Sequence, residues 1–315
     1  MTGTMTGVIV RRIGWMLVVV WFVVTATFLA TAAIPADPAK ALLGPHATET
    51  TLARVRAHYC LDRGLVQQYG CWIDRVAHGD LGESYRSKRP VTAIIAGRIW
   101  PTVQLALAAI ALQILLGVPL GILAALRRGR WQDHAVTLLG LIGQSVPAFF
   151  VGTLLLYLFA YRWGWFPIGG YGTGGWDRIW HLVLPAMTLA TLDIVYYARI
   201  VRSELVDALG EDYVRTARAK GLPEHVVIGR HALRNALGPL VTLAGLDLGL
   251  LLGGAVATEF IFAWPGLGRE VLQAIIEVDI PLILGVVLVS AIAIAAANLV
   301  VDLAYLWIDP RLRDR

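Results

Sequence analysis

Three carboxylates fall inside stretches that are otherwise apolar: Asp193, Asp247 and Glu259. An ionisable group at membrane depth is costly, so it faces a water-filled space, meets a partner, or carries a proton. Asp193 lies four residues before Tyr197 and six before Arg199, so a helix could bring it toward Arg199 or Arg202. Asp247 has no basic residue within a turn. Two roles stay open for this pair: lining a polar path that draws in a cationic group, or pairing within the fold. Glu259 sits near the end of its stretch and could reach interfacial water. Gln144, Ser145 and Pro147 interrupt another apolar run and predict a kink whose freed backbone groups the Ser and Gln side chains satisfy. Asn298 reads as a hydrogen-bonder between helices. Asp193, Asp247, Gln144, Ser145, Glu259 and Asn298 are therefore the candidates for lining a path across the membrane.

Other chemistry is missing from the sequence. There is no G-x-x-x-x-G-K-[ST], and the dipeptide Gly-Lys does not occur, so the chain carries no P-loop. H-E-x-x-H, C-x-x-C and G-x-S-x-G are also absent. The seven histidines are scattered without ligand spacing. The sequence offers neither a nucleophile nor a metal site, so the chain is expected not to be an enzyme.

The elements that hold these residues follow from composition. Of 315 residues, 57% are hydrophobic and 16% are charged, and mean hydropathy is +0.66. A soluble domain carries about a quarter charged residues. Disorder, coiled coil and nucleic-acid binding are excluded, and the net charge of +5 reports membrane topology instead. An all-α integral membrane protein is expected, with about six spans: Ile13–Ile34, Thr102–Leu126, His134–Tyr161, Trp180–Tyr197, Pro239–Ala263 and Ile280–Val301. The first is too long for a cleaved signal peptide. With both ends in the cytoplasm, fifteen Lys/Arg fall inside and three in the two short outer loops. That asymmetry fixes the orientation, since a long outer loop escapes the rule. Trp15, Trp100, Trp131, Trp163, Trp180, Trp264 and Trp307 lie near the expected boundaries, as in an aromatic belt.

Residues 1–34 thus form the N-terminus and first span, 35–100 an extracytoplasmic segment, and 101–315 a five-helix core. The outer segment contains helix-like stretches at Thr50–Tyr59 and Leu65–His78 and is too long for a connector. Cys60 and Cys71 both fall there, on the oxidising side. They either form a bridge, worth about 3 kcal/mol for so short a loop, or are two unrelated small residues. The cytoplasmic stretch 199–238 reads as a helix–turn–helix. Glu211 and Asp212 open its first helix, Gly221 ends it, and Pro223 opens the second. It is either an interfacial pair that holds anionic lipid or a dock for a cytoplasmic protein.

The run Asp212-Tyr213-Val214-Arg215-Thr216-Ala217-Arg218-Ala219-Lys220-Gly221-Leu222 resembles the "EAA" loop of ABC-importer permeases, in the form found in dipeptide/oligopeptide permeases. His231-Ala232-Leu233-Arg234-Asn235-Ala236-Leu237 with Pro239 is similar to the same family. So are Gly79 to Tyr85, Trp264 to Gly268, and the ending Asp309-Pro310-Arg311-Leu312-Arg313. Arg215 and Thr216 stand where the general pattern has Glu and Ala, which narrows the likeness to the peptide subfamily. Asp193 and Asp247 depart from the apolar or amide residues expected there.

The resemblance implies a type I ABC importer permease fold in the inner membrane of a bacterium, multi-pass, with both ends inside. It implies import of di- or oligopeptides, with nickel, glutathione or opines as alternatives and a proton-coupled secondary transporter as the rival class. It implies a second homologous permease, two ATPase subunits holding ATP and Mg, and an extracytoplasmic solute-binding protein. No nucleic acid and no cofactor of the chain's own are implied. On this likeness the ATPase-coupling residues are Val214, Arg215, Thr216, Ala217, Arg218, Lys220, Gly221, His231 and Asn235. Val214, Ala217 and Gly221 share one helix face, while Arg218 and Lys220 flank it and meet acidic groove residues.

Overall fold

The computed structural model describes residues 5–34, 38–43, 47–253 and 255–308. Among these the chain is almost wholly helical, and the one bridge between extended residues joins Glu83 to Pro90. The helices run in order α1 (Met5–Ala32), α2 (Pro38–Leu43), α3 (Glu49–His58), α4 (Leu65–Ala77), α5 (Val91–Leu126), α6 (Trp131–Ser145), and α7 (Ala148–Leu155), which widens into a π-helical stretch Leu156–Arg162. Then come α8 (Gly175–Gly210), α9 (Asp212–Ala219), α10 (Glu224–Val226) with the π-helical stretch Val227–Ala232, and α11 (Leu233–Ala236). The last are α12 (Gly238–Leu252), α13 (Val256–Ile261), α14 (Leu267–Ile276) and α15 (Ile280–Ile308).

Three helical stretches are long and apolar enough to cross a membrane: Val10–Ala32, Val91–Leu126 and Ile280–Val301. Among the described residues α8 makes a fourth if its two arms, Gly175–Thr191 and Asp193–Gly210, bent by 53°, are taken as one span. Two of the spans expected from hydropathy are divided in the structure. The expected span His134–Tyr161 is divided into α6 and α7, because Pro147 cannot continue the ladder. Pro239–Ala263 is divided into α12 and α13. In contrast, α8 runs thirteen residues beyond the expected end at Tyr197, to Gly210, before Glu211 stops it. The cytoplasmic loop proper therefore begins at Glu211.

The core is built around α5 and α8. Gly117 and Gly121 of α5, one turn apart, face α8. A Cβ on Gly121 would lie 2.6 Å from the Ala198 carbonyl oxygen, and one on Gly117 would lie 2.7 Å from Tyr197 Cβ. Small residues at this spacing let backbones approach where lipid supplies no hydrophobic drive between helices. Thr191 Oγ1 donates to the Met187 carbonyl at 2.6 Å, a back-bond that favours bending at the break in α8.

The outer segment is packed, not extended. The Cys60 and Cys71 sulfurs are bonded, with Cα atoms 6.5 Å apart, closing the turn between α3 and α4. Tyr69 shares a 2.6 Å hydrogen bond with Thr25 of α1, and its ring meets Phe28 edge-on. Further along, Ser84 Oγ donates to the buried Asp279 carboxylate at 2.5 Å, which ties the stretch before α5 to the start of α15.

Candidate functional site

Two places gather the expected functional residues. The first is the cytoplasmic hairpin. Glu211 caps α9 in extended conformation and Asp212 occupies its first turn, where the helix dipole favours an acid. Gly221 follows at φ +75, a conformation that costs a side chain and suits glycine. Arg218 Nη2 bonds Glu224 Oε1 at 2.8 Å across that turn, and the bond holds the Glu224 carboxyl below its usual range.

Val214 and Ala217 share a face, as their spacing predicts, and it is the inward one. They are 0% and 4% exposed, packed with Leu205 and Ala208 of α8, Ala125 at the end of α5, and Val227, Ala232 and Ala236 beyond the turn. What α9 and its turn present to the cytoplasm is Tyr213, Arg215, Thr216, Lys220, Gly221 and Leu222. Arg218 is also exposed, but its fork is spent on Glu224 rather than left for a groove. The amphipathic period was legible. Its polarity was not, because a three-residue apolar stripe does not say whether it packs on its own chain or on another. His231 is half-buried near this hairpin, and the Asn235 side chain lies outside the described residues.

The second place is at membrane depth. Gln113 of α5 donates from Nε2 to Asp193 Oδ2 at 3.1 Å. Tyr197 of α8 donates from its hydroxyl to Asp247 Oδ2 of α12 at 2.7 Å. Gln113 and Tyr197 are wholly buried, whereas Asp193 and Asp247 are half-buried. Gln113 Oε1 finds no partner among the described residues. Three helices thus bring an amide, a phenol and two acids together. The alternative pairing of Asp193 with Arg199 or Arg202 is not formed: Asp193 is held by Gln113, and Arg202 by Asp133. Sequence reasoning missed Gln113 and Tyr197 as partners. The signal available was that Gln113 is one of two glutamines in an apolar run.

The remaining candidates separate from this cluster. Glu259 does not reach interfacial water: it is 0% exposed, and its oxygens accept from Thr102 Oγ1 and the Arg269 N–H, both at 2.9 Å. Thr102 Oγ1 in turn accepts from the Leu267 N–H at 2.8 Å. A Cβ on Gly266 or Gly268 would run into the Glu259 carboxylate. Glu259 therefore shapes the Trp264–Gly268 turn, and Trp264 Nε1 donates to the Pro101 carbonyl at 2.9 Å. Asn298 lies beside Gly249 and lines an apolar groove of about 640 Å³ between α1, α12 and α15. Ser145 ends α6 at the break, and the Gln144 side chain lies outside the described residues, as does the ending Asp309–Arg313.

With this geometry in view, the likenesses to known proteins become specific. The profile of the family "Binding-protein-dependent transport system inner membrane component" matches residues 117–314, and that of its N-terminal companion matches 5–106. The chain belongs to this family of transport permeases, inner-membrane components of bacterial ABC importers. In such systems separate ATPase subunits hydrolyse ATP, so membership implies ATPase and binding-protein partners.

A protein of Brucella abortus (strain 2308) named as a peptide transport system permease is 41% identical, covering 98% of this chain and 99% of that one. DdpB of Escherichia coli (strain K12), named for D,D-dipeptide transport, is 40% identical over 96% and 97% of the two chains. The glutathione transport system permease protein GsiC of Salmonella typhi is 40% identical over 98% and 99%. Among solved structures, the inward-facing MetNI methionine ABC transporter shares the fold. Its TM-score is 0.52 at 18% identity, covering 71% of this chain and 98% of that one.

Proposed function

We propose that this chain is the pathway-forming permease subunit of an ATP-driven importer of di- or oligopeptides. In this reading it pairs with a second homologous permease and two ATPase subunits that bind ATP with Mg, and receives its substrate from an extracytoplasmic binding protein. The observation that carries the proposal is the 211–238 hairpin. Its apolar stripe is sealed against the chain's own α5, α8 and α11, so the hairpin is rigidly joined to the spans while Tyr213 and Lys220 are exposed to meet another protein, beside Arg215 in its surface pair with Asp212. A lipid-binding pair would bury that stripe in the bilayer instead. The relatives named for peptides, D,D-dipeptides and glutathione support a peptide-like substrate.

Residues 35–100 form the outer segment in this division and 101–315 the core. Asp193 and Asp247 face the pathway, where their charge attracts the terminal ammonium of a passing peptide. Half-buried carboxylates at this depth need water or a partner, which the pathway between two permeases supplies.

The test is uptake by the complete complex in proteoliposomes. Labelled dipeptide should enter only with ATP, should be stopped by vanadate, and should be indifferent to collapse of the proton gradient. Scrambling 211–222 should leave ATP hydrolysis and abolish uptake. Asp247→Asn should slow uptake of cationic and neutral peptides. Uptake driven by a proton gradient without ATP would overturn the proposal.

A further inference from the structure

Two breaks interrupt the helices on one flank of the molecule. α6 ends at Ser145 and α7 starts at Ala148, and α8 bends by 53° between Thr191 and Asp193. Packing matches the pieces on either side of these breaks. Outside them, Gly152 of α7 lies against the upper arm of α8, where a Cβ would stand 2.9 Å from Thr188 Cγ2. Inside them, Gly140 of α6 lies against the lower arm, where a Cβ would stand 3.1 Å from both Val195 and Arg199. Val136 of α6 is buried together with Ala198 of α8 and Ala124 of α5. So α7 keeps company with the upper arm, and α6 with the lower.

The lower arm ends in the coupling hairpin, since Leu205 and Ala208 sit in one buried cluster with Val214 and Ala217. On the opposite side it is fastened to α6 by a fork. Asp133, 4% exposed, accepts from Arg202 Nη2 at 2.8 Å and, through its other oxygen, from Arg202 Nε. The same carboxylate accepts from the Gly129 N–H at 2.9 Å, which adds the α5–α6 turn to the assembly. A two-bond arginine–carboxylate contact fixes orientation as well as distance. Neither residue touches the polar cluster, the hairpin face or the outer turn, so none of the roles above uses them.

We infer that Asp133 and Arg202 are positioning residues that make α6 and the lower arm of α8 move as one lever. Displacement of the α9–α10 hairpin then reaches both breaks together, at Pro147 and at the α8 bend. Asp193 is the first residue beyond that bend, and its bond to Gln113 on the unbroken α5 is the polar contact such a movement alters. The inference rests on the permease reading above and deepens its coupling step.

The experiment measures solute taken up per ATP hydrolysed in the reconstituted complex. Asp133→Asn and Arg202→Asp should each lower that ratio about tenfold or more, because the first breaks the two-bond fork and the second leaves the buried Asp133 facing another carboxylate, while hydrolysis continues. The exchanged pair Asp133→Arg with Arg202→Asp should recover most of it. A native ratio in Asp133→Asn would overturn the inference.

Because these variants can fail to assemble, a second arm leaves the fork intact. Val136→Cys with Ala198→Cys supplies the sole free thiols, since the two native cysteines are bonded. Bridging these thiols should leave uptake unchanged, as both sit inside the lever. Arrest of uptake on bridging, with hydrolysis continuing, would mean that α6 and α8 must part during transport, and would equally overturn the inference. A wild-type complex that carries some solute other than a peptide would sink the substrate reading alone, because the ratio is taken for whatever solute is carried.

Discussion

A carboxylate as buried as Glu259 stays in place because Thr102 Oγ1 and the Arg269 N–H occupy its oxygens. Thr102→Val removes one donor and also orphans the Leu267 N–H. Leaving buried polar groups unmatched costs about 1–3 kcal/mol, so the detergent-solubilised protein should melt at a lower temperature. An unchanged midpoint would mean that water fills in for the hydroxyl. Asp133 makes a prediction in pH. Its hydrogen bonds from Arg202 hold the carboxyl at about 2, against 3.8 for a free aspartate. The folded state binds fewer protons there, so the stabilisation is complete above 3.8 and fades as pH falls toward 2. The difference in melting temperature between wild type and Asp133→Asn should be constant at neutral pH and shrink across that window. At this scale the sequence marked acids in apolar runs, but their partners lie far along the chain: Gln113 is eighty positions from Asp193 and Asp133 is sixty-nine from Arg202.

Helices carry the same lesson in their faces and breaks. Cap residues, the positive-φ glycine and the proline at the second start were readable for α9 and α10, because these signals act within four or five residues. The outer stretches expected at Thr50–Tyr59 and Leu65–His78 form as α3 and α4 for the same reason. Which side of α9 points home was decided by Leu205 and Val227 across the turn. The close approach of α5 and α8 is likewise an element-scale property, set by Gly117 and Gly121. Gly121→Val forces a side chain into the Ala198 carbonyl and Val201, and overpacking of this kind costs about 1–3 kcal/mol. Thermal unfolding should show the loss. An equal midpoint would mean that the two helices separate without penalty.

At the scale of the whole molecule, an outer cap, a two-armed membrane core and a cytoplasmic hairpin lie in one chain. The cap is held by the Cys60–Cys71 bridge as well as by the Tyr69 and Ser84 contacts. Cys60→Ser should therefore make α3 and α4 more open to protease, in keeping with the about 3 kcal/mol that closing a short loop contributes, while the membrane core stays resistant. Loss of the entire protein to protease would show that the cap and core unfold together. By itself the sequence determined the membrane class, the hairpin and the family motifs. Each of these depends on composition or on neighbours within a turn or two, and the bilayer acts on local hydropathy directly. Only the tertiary structure decided that the expected span Pro239–Ala263 is divided, that Val214 and Ala217 face inward, that Glu259 serves a turn, and that Arg202 answers Asp133. Those outcomes depend on which distant side chain fills a given space, and a linear order of residues does not encode that proximity.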